Sequence, residues 1–437
     1  MNRILLAVAF TVIAALPLRA AVDIQQVTSP GGIEAWLVES HDLPFTALEI
    51  RFKGGASLDA EGKRGAINLM TALLEEGAGE MDAQAFAAAR DALAAKFTFD
   101  VHDDALSVSA RMLTENRDQA VTLLHKALVA PRFDRDAIAR VRDQVLSMIR
   151  SNAKDPNRIA GQTFDRLAFG EHPYASSPNG TVDSVESLTR DDLIEAKNRV
   201  MARDRVYVSA AGDITAQELG ALLDRLFAGL PETGAPMPGD APYLLEGGTT
   251  VVPFETPQSV AVFGHRGIDR DDPDFFAAYV LNTVLGASGF SSRLMEEVRE
   301  KRGLTYGIYT YLYSMDHADL YLGQVASAND RIAEAIEVIR AEWAKVAASG
   351  VSAAELEAAK TYLTGAYPLR FDGNGPIADI LVGMQLEGLK RSYVANRNDK
   401  VRAVTLDDVQ RVAARLLNAE ALHFVVVGQP AGLETTN

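Results

Sequence analysis

Two side chains that could act together on a carbonyl oxygen, Arg299 and Tyr306, lie seven residues apart. Before the tyrosine, Leu294 and Val298 recur at helical spacing, and Gly303 is the residue type that ends a helix in the left-handed conformation. From the tyrosine onward, residues alternate with the two-residue period of a strand. The pattern predicts a helix that ends near Gly303 and a strand that begins at Tyr306. Arg299 and Tyr306 would then meet at the corner, where a guanidinium fork and a phenol could hold a peptide carbonyl or carboxylate.

Local pattern alone leaves a second interpretation of Arg299 open. On an exposed helix face it could be a solvated arginine paired with Glu296, an interaction worth at most about 0.5 kcal/mol. Tyr309, Tyr311 and Tyr313 follow at alternate positions of the predicted strand. We expect them to pack on one face of that strand, although such a row could also flank a bound peptide.

The chain contains an internal repeat. Residues 185–193 align without a gap with residues 401–409, and in both copies Thr-x-x-Asp opens an amphipathic pattern that predicts a capped helix. A strand pattern follows each copy. One repeat in each half is too long for a solenoid unit, and it therefore predicts a duplicated domain.

Strands grouped as hairpins and accompanied by long helices predict the α+β class. We expect two tandem homologous domains, each with an antiparallel-rich sheet packed against helices. The N-terminal domain is placed at residues 21–228 and the C-terminal domain at residues 247–437. Residues 229–246 are dense in proline and glycine and have no hydrophobic period, so they are predicted to form a linker.

Residues 1–20 have the pattern of a cleaved export signal. Arg3 precedes an apolar run that is too short to cross a bilayer, and small residues follow at Ala20 and Ala21. We therefore expect an exported, soluble protein without membrane anchoring, located in the periplasm if the source is Gram-negative.

Composition excludes several classes of site. The 437 residues include no cysteine, which rules out disulfides, thiolate nucleophiles and cysteine-ligated metals. No two of the seven histidines are three to five residues apart, so histidines cannot assemble a zinc-binding helix. The net charge of −16 repels nucleic acid and anionic lipid, and it favours either an ordinary solvated acidic surface or binding of cationic partners or peptides.

Three stretches resemble the pitrilysin, insulinase and mitochondrial processing peptidase family: residues 286–294, residues 299–306 and the Phe-Gly-Glu-His-Pro-Tyr of residues 169–174. The resemblance covers essentially the whole chain after the signal, and it implies one clam-like half of a processing peptidase. Family members bind zinc with an inverted His-x-x-Glu-His helix and a downstream glutamate, and an Arg and a Tyr seven residues apart complete the site. In the family, the region of Gly286 and Gly289 helps to shape the substrate cavity.

The same resemblance identifies four positions where the metal ligands are missing. Asn68, Thr71 and Ala72 stand where the family has His, Glu and His, and Met148 stands where it has the downstream glutamate. None of the four is a ligand that zinc prefers. Because residues 68, 71 and 72 share one helix face, we expect a small polar face toward the substrate chamber and no cofactor on this chain.

Together these residues predict a metal-free complementary subunit of a heterodimeric exported zinc endopeptidase that degrades peptides or unfolded segments. A homologous partner chain with His-x-x-Glu-His would carry the zinc. Arg299 and Tyr306 would bind the substrate and stabilise the oxyanion of the tetrahedral intermediate in trans. The alternatives are a non-catalytic structural subunit, comparable to the core subunits that the family contributes to respiratory complexes, and a peptide-binding homodimer.

Overall fold

The computed structural model describes residues 23–436 and contains two sheets with helices packed on them. The predicted α+β class is therefore confirmed. The predicted signal peptide, residues 1–20, lies outside the described residues. None of the described helices combines the length and the hydropathy that a bilayer-spanning segment needs.

The N-terminal sheet has the strand order β1-β2-β8-β3-β7-β6. Its strands are β1 (Gln25–Thr28), β2 (Glu34–Glu39), β3 (Phe45–Lys53), β6 (Lys96–Val101), β7 (Ala105–Leu113) and β8 (Val206–Gly212), and a separate two-residue pair consists of β4 (Gly77–Ala78) and β5 (Met81–Asp82). At the centre, Ile50 lies opposite Val108 on β7 and Val208 on β8, and all three are fully buried. Alternate β-branched residues thus face the helices, as a half-buried strand requires.

The C-terminal sheet repeats this topology. Its order is β11-β12-β10-β13-β9, with β9 (Gly248–Pro253), β10 (Gln258–Arg266), β11 (Ile308–Ser314), β12 (Asp319–Ala328) and β13 (His423–Gly428). In both sheets the one parallel pair joins the last strand of the half to an early strand, β8 to β2 and β13 to β9. The duplicated fold that the sequence repeat predicts is present, with β1 as an addition to the first half.

Helices cover both sheets. In the first half they are α1 (Ala66–Ala72), α2 (Ala83–Ala92), α3 (Arg117–Val129), α4 (Arg135–Asn152), α5 (Pro156–Phe169), α6 (Val182–Ser187), α7 (Arg190–Val200) and α8 (Ala216–Phe227). In the second half they are α9 (Phe275–Asn282), α10 (Ile332–Ser349), α11 (Ala353–Ala366), α12 (Asn374–Leu386), α13 (Tyr393–Ala403) and α14 (Leu406–Leu416). The repeated Thr-x-x-Asp signals form capping boxes at α7 and α14, as expected.

Each half contributes one helix to the sheet of the other half. Helix α5 lies on the C-terminal sheet, where Phe164 packs with Leu320 and Leu322. Helix α12 lies on β3 and β8 of the N-terminal sheet, where the Ser209 hydroxyl donates to the carbonyl of Ala378 at 2.5 Å. The exchange interlocks the two halves around buried apolar surface. The predicted linker, residues 229–246, runs between α8 and β9 without a helix or a strand.

A polar cluster joins the halves beside the exchanged helices. The Tyr174 phenol donates to the carboxylate of Asp104 and accepts the backbone N–H of His317 at 3.2 Å. His172 accepts the N–H of Tyr174 on Nδ1 at 3.3 Å, and its Nε2 donates to the carbonyl of Gly239 at 3.1 Å. Burial lowers the pKa of His172, in keeping with a neutral ring. His172 therefore orders the loop at this junction.

Candidate functional site

The helix that carries Arg299 is a π-helical segment, Met295–Glu300, held by the buried side chains of Leu294 and Val298. Gly303 adopts a φ of 60°, and its N–H donates to the carbonyl of Arg299 at 2.7 Å. The helix thus ends within three residues of Gly303, as the sequence predicts. A single wide turn of this kind is frequent at functional sites.

The structure brings Arg299 and Tyr306 together. The guanidinium carbon of Arg299 lies 5.3 Å from the centroid of the Tyr306 ring, within the range of a cation–π interaction. Tyr306 is 89 % exposed, so its ring and hydroxyl face the surroundings of the chain. The pair therefore presents two hydrogen-bond donors at one point of the surface.

The ion pairs around Arg299 differ from the predicted one. Arg299 lies 3.3 Å from Glu300, whereas Glu296 contacts Lys301 at 3.0 Å. The π turn explains the difference, because it bonds residues five apart, as the backbone N–H of Lys301 does to the carbonyl of Glu296 at 2.9 Å. The side chain of Glu296 consequently lies next to that of Lys301.

The strand begins later than the alternation pattern predicts. The hydroxyl of Thr305 donates to the carbonyl of Ala326 at 2.6 Å and accepts the N–H of Gly307 at 3.0 Å. A side chain that bonds the backbone in this way replaces strand pairing locally. Strand β11 therefore starts at Ile308, and Tyr306 lies in the turn before it.

A row of tyrosines continues from the turn along β11, which is the edge strand of its sheet. Tyr309, Tyr311 and Tyr313 are 40–49 % exposed, and successive ring centroids are 6.2 and 6.0 Å apart. We call these three residues the tyrosine row. Its partial exposure departs from ordinary packing on a strand face and leaves the rings accessible beside Tyr306.

Helix α5 of the first half lies next to the tyrosine row. The Nε2 atom of Gln324, on the neighbouring strand, donates to Asn157 of α5 at 2.6 Å, and the hydroxyl of Tyr309 donates to the same glutamine. Two helical turns further along α5, Asp165 makes no hydrogen bond or ion pair with the described residues. Burial, together with the charge of Asp103, raises the pKa of Asp165 to about 7. Sequence reasoning missed Asp165, because only the exchanged position of α5 brings it to this surface.

The two glycines predicted to shape the cavity have different structural roles. Gly286 lies in a second π-helical segment, Thr283–Ala287, and a Cβ atom there would lie 2.2 Å from the hydroxyl of Thr310. That hydroxyl donates to Asn282 at 2.7 Å. Because Gly286 has no side chain, its π-helical segment can approach strand β11 closely. Gly289 adopts a φ of 60° in the following turn and has open space around it. A part in substrate binding remains a prediction for both.

Arg293 fixes the turn to the body of the second half. Its guanidinium donates to both carboxylate oxygens of Glu355, at 2.6 and 2.8 Å, and to Glu342 at 3.2 Å. The paired arginine lowers the pKa of Glu355 to about 2. This fork anchors the chain segment that leads into the Arg299 helix, and sequence analysis did not identify its two carboxylate partners.

The four residues predicted to stand at degenerate metal positions lie on α1 and α4 of the first half. Thr71 is only 3 % exposed, and its hydroxyl donates to the carbonyl of Ile67 at 2.7 Å. Asn68 is half-buried, Ala72 is exposed, and Met148 is 43 % exposed. These amide, hydroxyl, methyl and thioether groups do not fit a zinc site. Across residues 23–436, no group of three His, Asp or Glu side chains is placed to hold a metal ion.

The sequence pattern predicts a helix over residues 64–77, whereas α1 spans only Ala66–Ala72. The N–H groups of Leu73 and Leu74 bond three residues back, and Gly77 adopts a φ of 109°, so the helix tightens and ends at Ala72. The carboxylate of Asp59 accepts the N–H groups of Gly65 and Ile67, each at 2.8 Å. The helix is thus held in place at its start without any metal.

Comparison with known proteins finds similarity to a peptidase family and to a non-peptidase homologue. The family model described as Peptidase M16 inactive domain matches residues 187–363. A Helicobacter pylori protein described as a non-peptidase homolog is 27 % identical over 336 residues, which is 76 % of this chain and 77 % of that one. An uncharacterized zinc protease of Mycobacterium leprae is 28 % identical over 400 residues, 90 % of this chain and 89 % of its own.

A solved structure of a similar protein has the same fold as this chain. The crystal structure of a peptidase M16 inactive domain from Pseudomonas fluorescens superimposes with a TM-score of 0.88 at 27 % identity. It covers 95 % of this chain and 100 % of that chain. The similarity therefore includes both halves and the exchanged helices between them.

Proposed function

Because the chain belongs to the pitrilysin-like M16 peptidase family and is similar to its inactive, non-peptidase members, we propose that it is the metal-free complementary subunit of a heterodimeric, exported zinc endopeptidase. The observation that carries the proposal is the Arg299 guanidinium held 5.3 Å from the ring of the exposed Tyr306. A pair of donors in that position suits a substrate that arrives from outside the chain.

In this proposal the two subunits divide the chemistry. A homologous partner with an intact His-x-x-Glu-His helix contributes the zinc, and its metal supplies the activated water. Arg299 binds a carbonyl or carboxylate of the substrate through its planar fork. The phenol of Tyr306 donates a hydrogen bond where negative charge develops in the tetrahedral intermediate.

The cation–π contact gives Arg299 a second task. A guanidinium over the ring face restrains the tyrosine, which has few other contacts because it stands in the turn before β11. Preorganised donors lose less rotamer entropy when the substrate binds. The anchoring fork of Arg293 with Glu355 and Glu342 supports the same segment from behind.

The substrates proposed are peptides or unfolded segments of proteins. An extended chain matches the tyrosine row, whose rings stand at alternate positions of an edge strand. The net charge of −16 favours substrates or partners with basic residues. Export to the periplasm remains part of the proposal and rests on the sequence of residues 1–20.

Reconstitution tests the proposal. The purified mature chain alone should contain no stoichiometric zinc by elemental analysis and should cleave no peptide. Mixed with a related chain of the same organism that carries His-x-x-Glu-His, it should form a stable complex that cleaves unfolded peptides. One zinc per chain in the isolated protein contradicts the proposal.

A tyrosine variant separates a catalytic subunit from a structural one. Tyr306→Phe removes the phenol donor and should abolish most turnover while the complex stays intact in size-exclusion chromatography. Tyr362→Phe, at another exposed tyrosine on α11, should leave turnover unchanged. Unchanged turnover in the Tyr306 variant favours the structural-subunit alternative.

The tyrosine row favours one further candidate, a peptide-binding homodimer. Three partly exposed rings on an unpaired strand edge could hold a peptide without any second gene product. This function predicts measurable peptide affinity by the isolated chain in fluorescence anisotropy. It also predicts a dimeric mass in solution without the partner.

A further inference from the structure

The C-terminal half contains a cavity of about 320 Å³ whose walls carry three arginines without carboxylate partners. It lies between α9, α12 and α13, and shares no residue with the Arg299–Tyr306 site. Arg270, Arg370 and Arg397 line it, and within residues 23–436 none of the three forms an ion pair. By contrast, Arg293, elsewhere in the same half, forms ion pairs with Glu342 and Glu355.

Arg397 is the most deeply placed of the three, at 5 % exposure. Its guanidinium carbon lies 4.7 Å from the ring centroid of Tyr367 and 5.4 Å from that of Tyr279. Its hydrogen bonds go to neutral acceptors: the carbonyl of Leu363 at 2.8 Å, the side chain of Asn398 at 2.9 Å and the hydroxyl of Tyr279 at 3.3 Å. A buried positive charge without an opposite charge is costly, and an anion in the cavity would lower that cost.

Arg270 and Arg370 approach the same cavity from other sides. Arg270 lies over the ring of Phe275 at 4.6 Å and donates to the hydroxyl of Tyr393 at 3.1 Å. Arg370 is exposed, and its side chain has no hydrogen bond to the described residues. Burial raises the pKa of Tyr367 to about 12, while Arg397, Arg370 and Arg270 all act to lower it. The three positive charges therefore surround one phenol.

The acidic residues of the lining do not neutralise these charges. Asp379 pairs with Arg51 of the N-terminal sheet at 2.6 Å. Burial raises the pKa of Glu387 against the opposing charge of Arg270, and no ion pair connects Glu387 to the described residues. The cavity is thus a positive, aromatic-walled site in a chain whose net charge is −16.

We propose that this cavity binds a small organic anion, with a carboxylate or phosphate group on a planar apolar body. The anionic group would be held by the guanidinium forks, which match carboxylate and phosphate geometry. The apolar body would stack among Phe275, Tyr367 and Tyr393. A concave site with apolar walls and a few convergent polar groups is the usual form of a small-molecule site. This site goes beyond the proposed peptidase role and does not depend on it.

Ligand binding to the full mature chain tests the inference. Benzoate, phenyl phosphate and benzamide share a ring and differ in charge, so isothermal titration with each separates anion binding from simple apolar contact. Benzoate or phenyl phosphate should bind and raise the melting temperature, and benzamide should do neither. The relative affinity of the two anions identifies the preferred group. Equal binding of benzamide, or no binding by either anion, overturns the proposal.

Arginine variants locate the binding. Arg370→Gln and Arg270→Gln should each weaken binding of the anion by about tenfold, because each removes a charge-assisted hydrogen bond. Arg150→Gln, at an exposed arginine of the N-terminal half that pairs with Glu186 at 3.7 Å, should not. Arg370 is exposed and without side-chain bonds to the described residues, so its variant should keep the wild-type fold by circular dichroism. Wild-type affinity in that variant overturns the assignment.

Discussion

The α1 region of the first half and the Arg299 region of the second half are the two regions that the resemblance predicts to form one site, and they differ in the side chains that they offer. Around α1 the scaffold persists, since Asp59 still holds the start of the helix, but the side chains at the metal positions offer nothing to zinc. Around Arg299 the predicted pair of side chains is present, because the guanidinium lies against the ring of Tyr306 beyond the helix end. Two halves of similar fold can therefore present different side chains at the positions that the resemblance identifies, and the side chains decide what chemistry each half can offer.

The largest expected effect comes from removing the Arg299 guanidinium in the proposed two-subunit complex. Arg299→Gln should reduce kcat/KM of the reconstituted pair by roughly 100-fold or more, the usual cost of losing one preorganised donor. Arg302→Gln is the matched control, three residues away, and among the described residues its ion pair is with Glu297 at 2.7 Å. Steady-state kinetics on one peptide measure both, and equal losses in the two variants would show that only bulk charge matters.

Removing the anchor of the Arg299 segment should have the next largest effect, on stability. Arg293→Ala leaves the buried Glu342 without its arginine and breaks the fork to Glu355, so we expect a loss of about 2–3 kcal/mol in the free energy of unfolding. Arg331→Ala, at a surface pair with Glu334, should cost less than about 0.5 kcal/mol. Urea unfolding followed by circular dichroism distinguishes the two. A loss as small as that of the control would mean that the fork anchors nothing.

The pH dependence of stability tests the burial of Asp165, which lies where helix α5 of the first half is next to the tyrosine row. The pKa of Asp165 is about 7 in the folded chain, above the value near 4 of an unfolded aspartate. Between these values the native state holds a proton that the unfolded state has released, so stability falls as pH rises through this window. Between roughly pH 5 and pH 8, the free energy of unfolding should fall by about 1–2 kcal/mol less in the Asp165→Asn variant than in the wild type.

The control for that experiment is Asp118, whose pKa is lowered in the folded chain rather than raised. Asp118 is exposed, and its hydrogen bond with Arg225 lowers its pKa, so it is ionised in both states across the same range. Asp118→Asn should therefore leave the pH dependence of unfolding unchanged. If Asp165→Asn also leaves it unchanged, the carboxyl of Asp165 is solvated in the native chain.

The smallest effect is expected at the degenerate metal positions. Met148→Ala should change the free energy of unfolding by less than about 0.5 kcal/mol, because Met148 is 43 % exposed. A change above about 2 kcal/mol would show that the side chain of Met148 contributes to packing. Thermal unfolding is sufficient for the measurement.

Much of the fold follows from local pattern. The capping boxes at Thr189 and Thr405, the period-two strands and the repeated segment all depend on neighbours in the chain, and the structure confirms the α+β class. Sequence reasoning was less accurate at element ends. It extended α1 past Ala72 and began β11 at Tyr306, because the bonds that decide these ends come from glycine conformation and from the hydroxyl of Thr305.

The sequence by itself determined which atoms this protein can offer: an arginine and a tyrosine at fixed spacing, no cysteine, and no His-x-x-Glu-His helix. Only the tertiary structure decided where those atoms are. Exchange of α5 and α12 between the sheets brings Asp165 to the tyrosine row, and packing of α9, α12 and α13 gathers three arginines around one phenol. Such contacts join residues far apart in the chain, and their energies depend on burial, which no local pattern specifies.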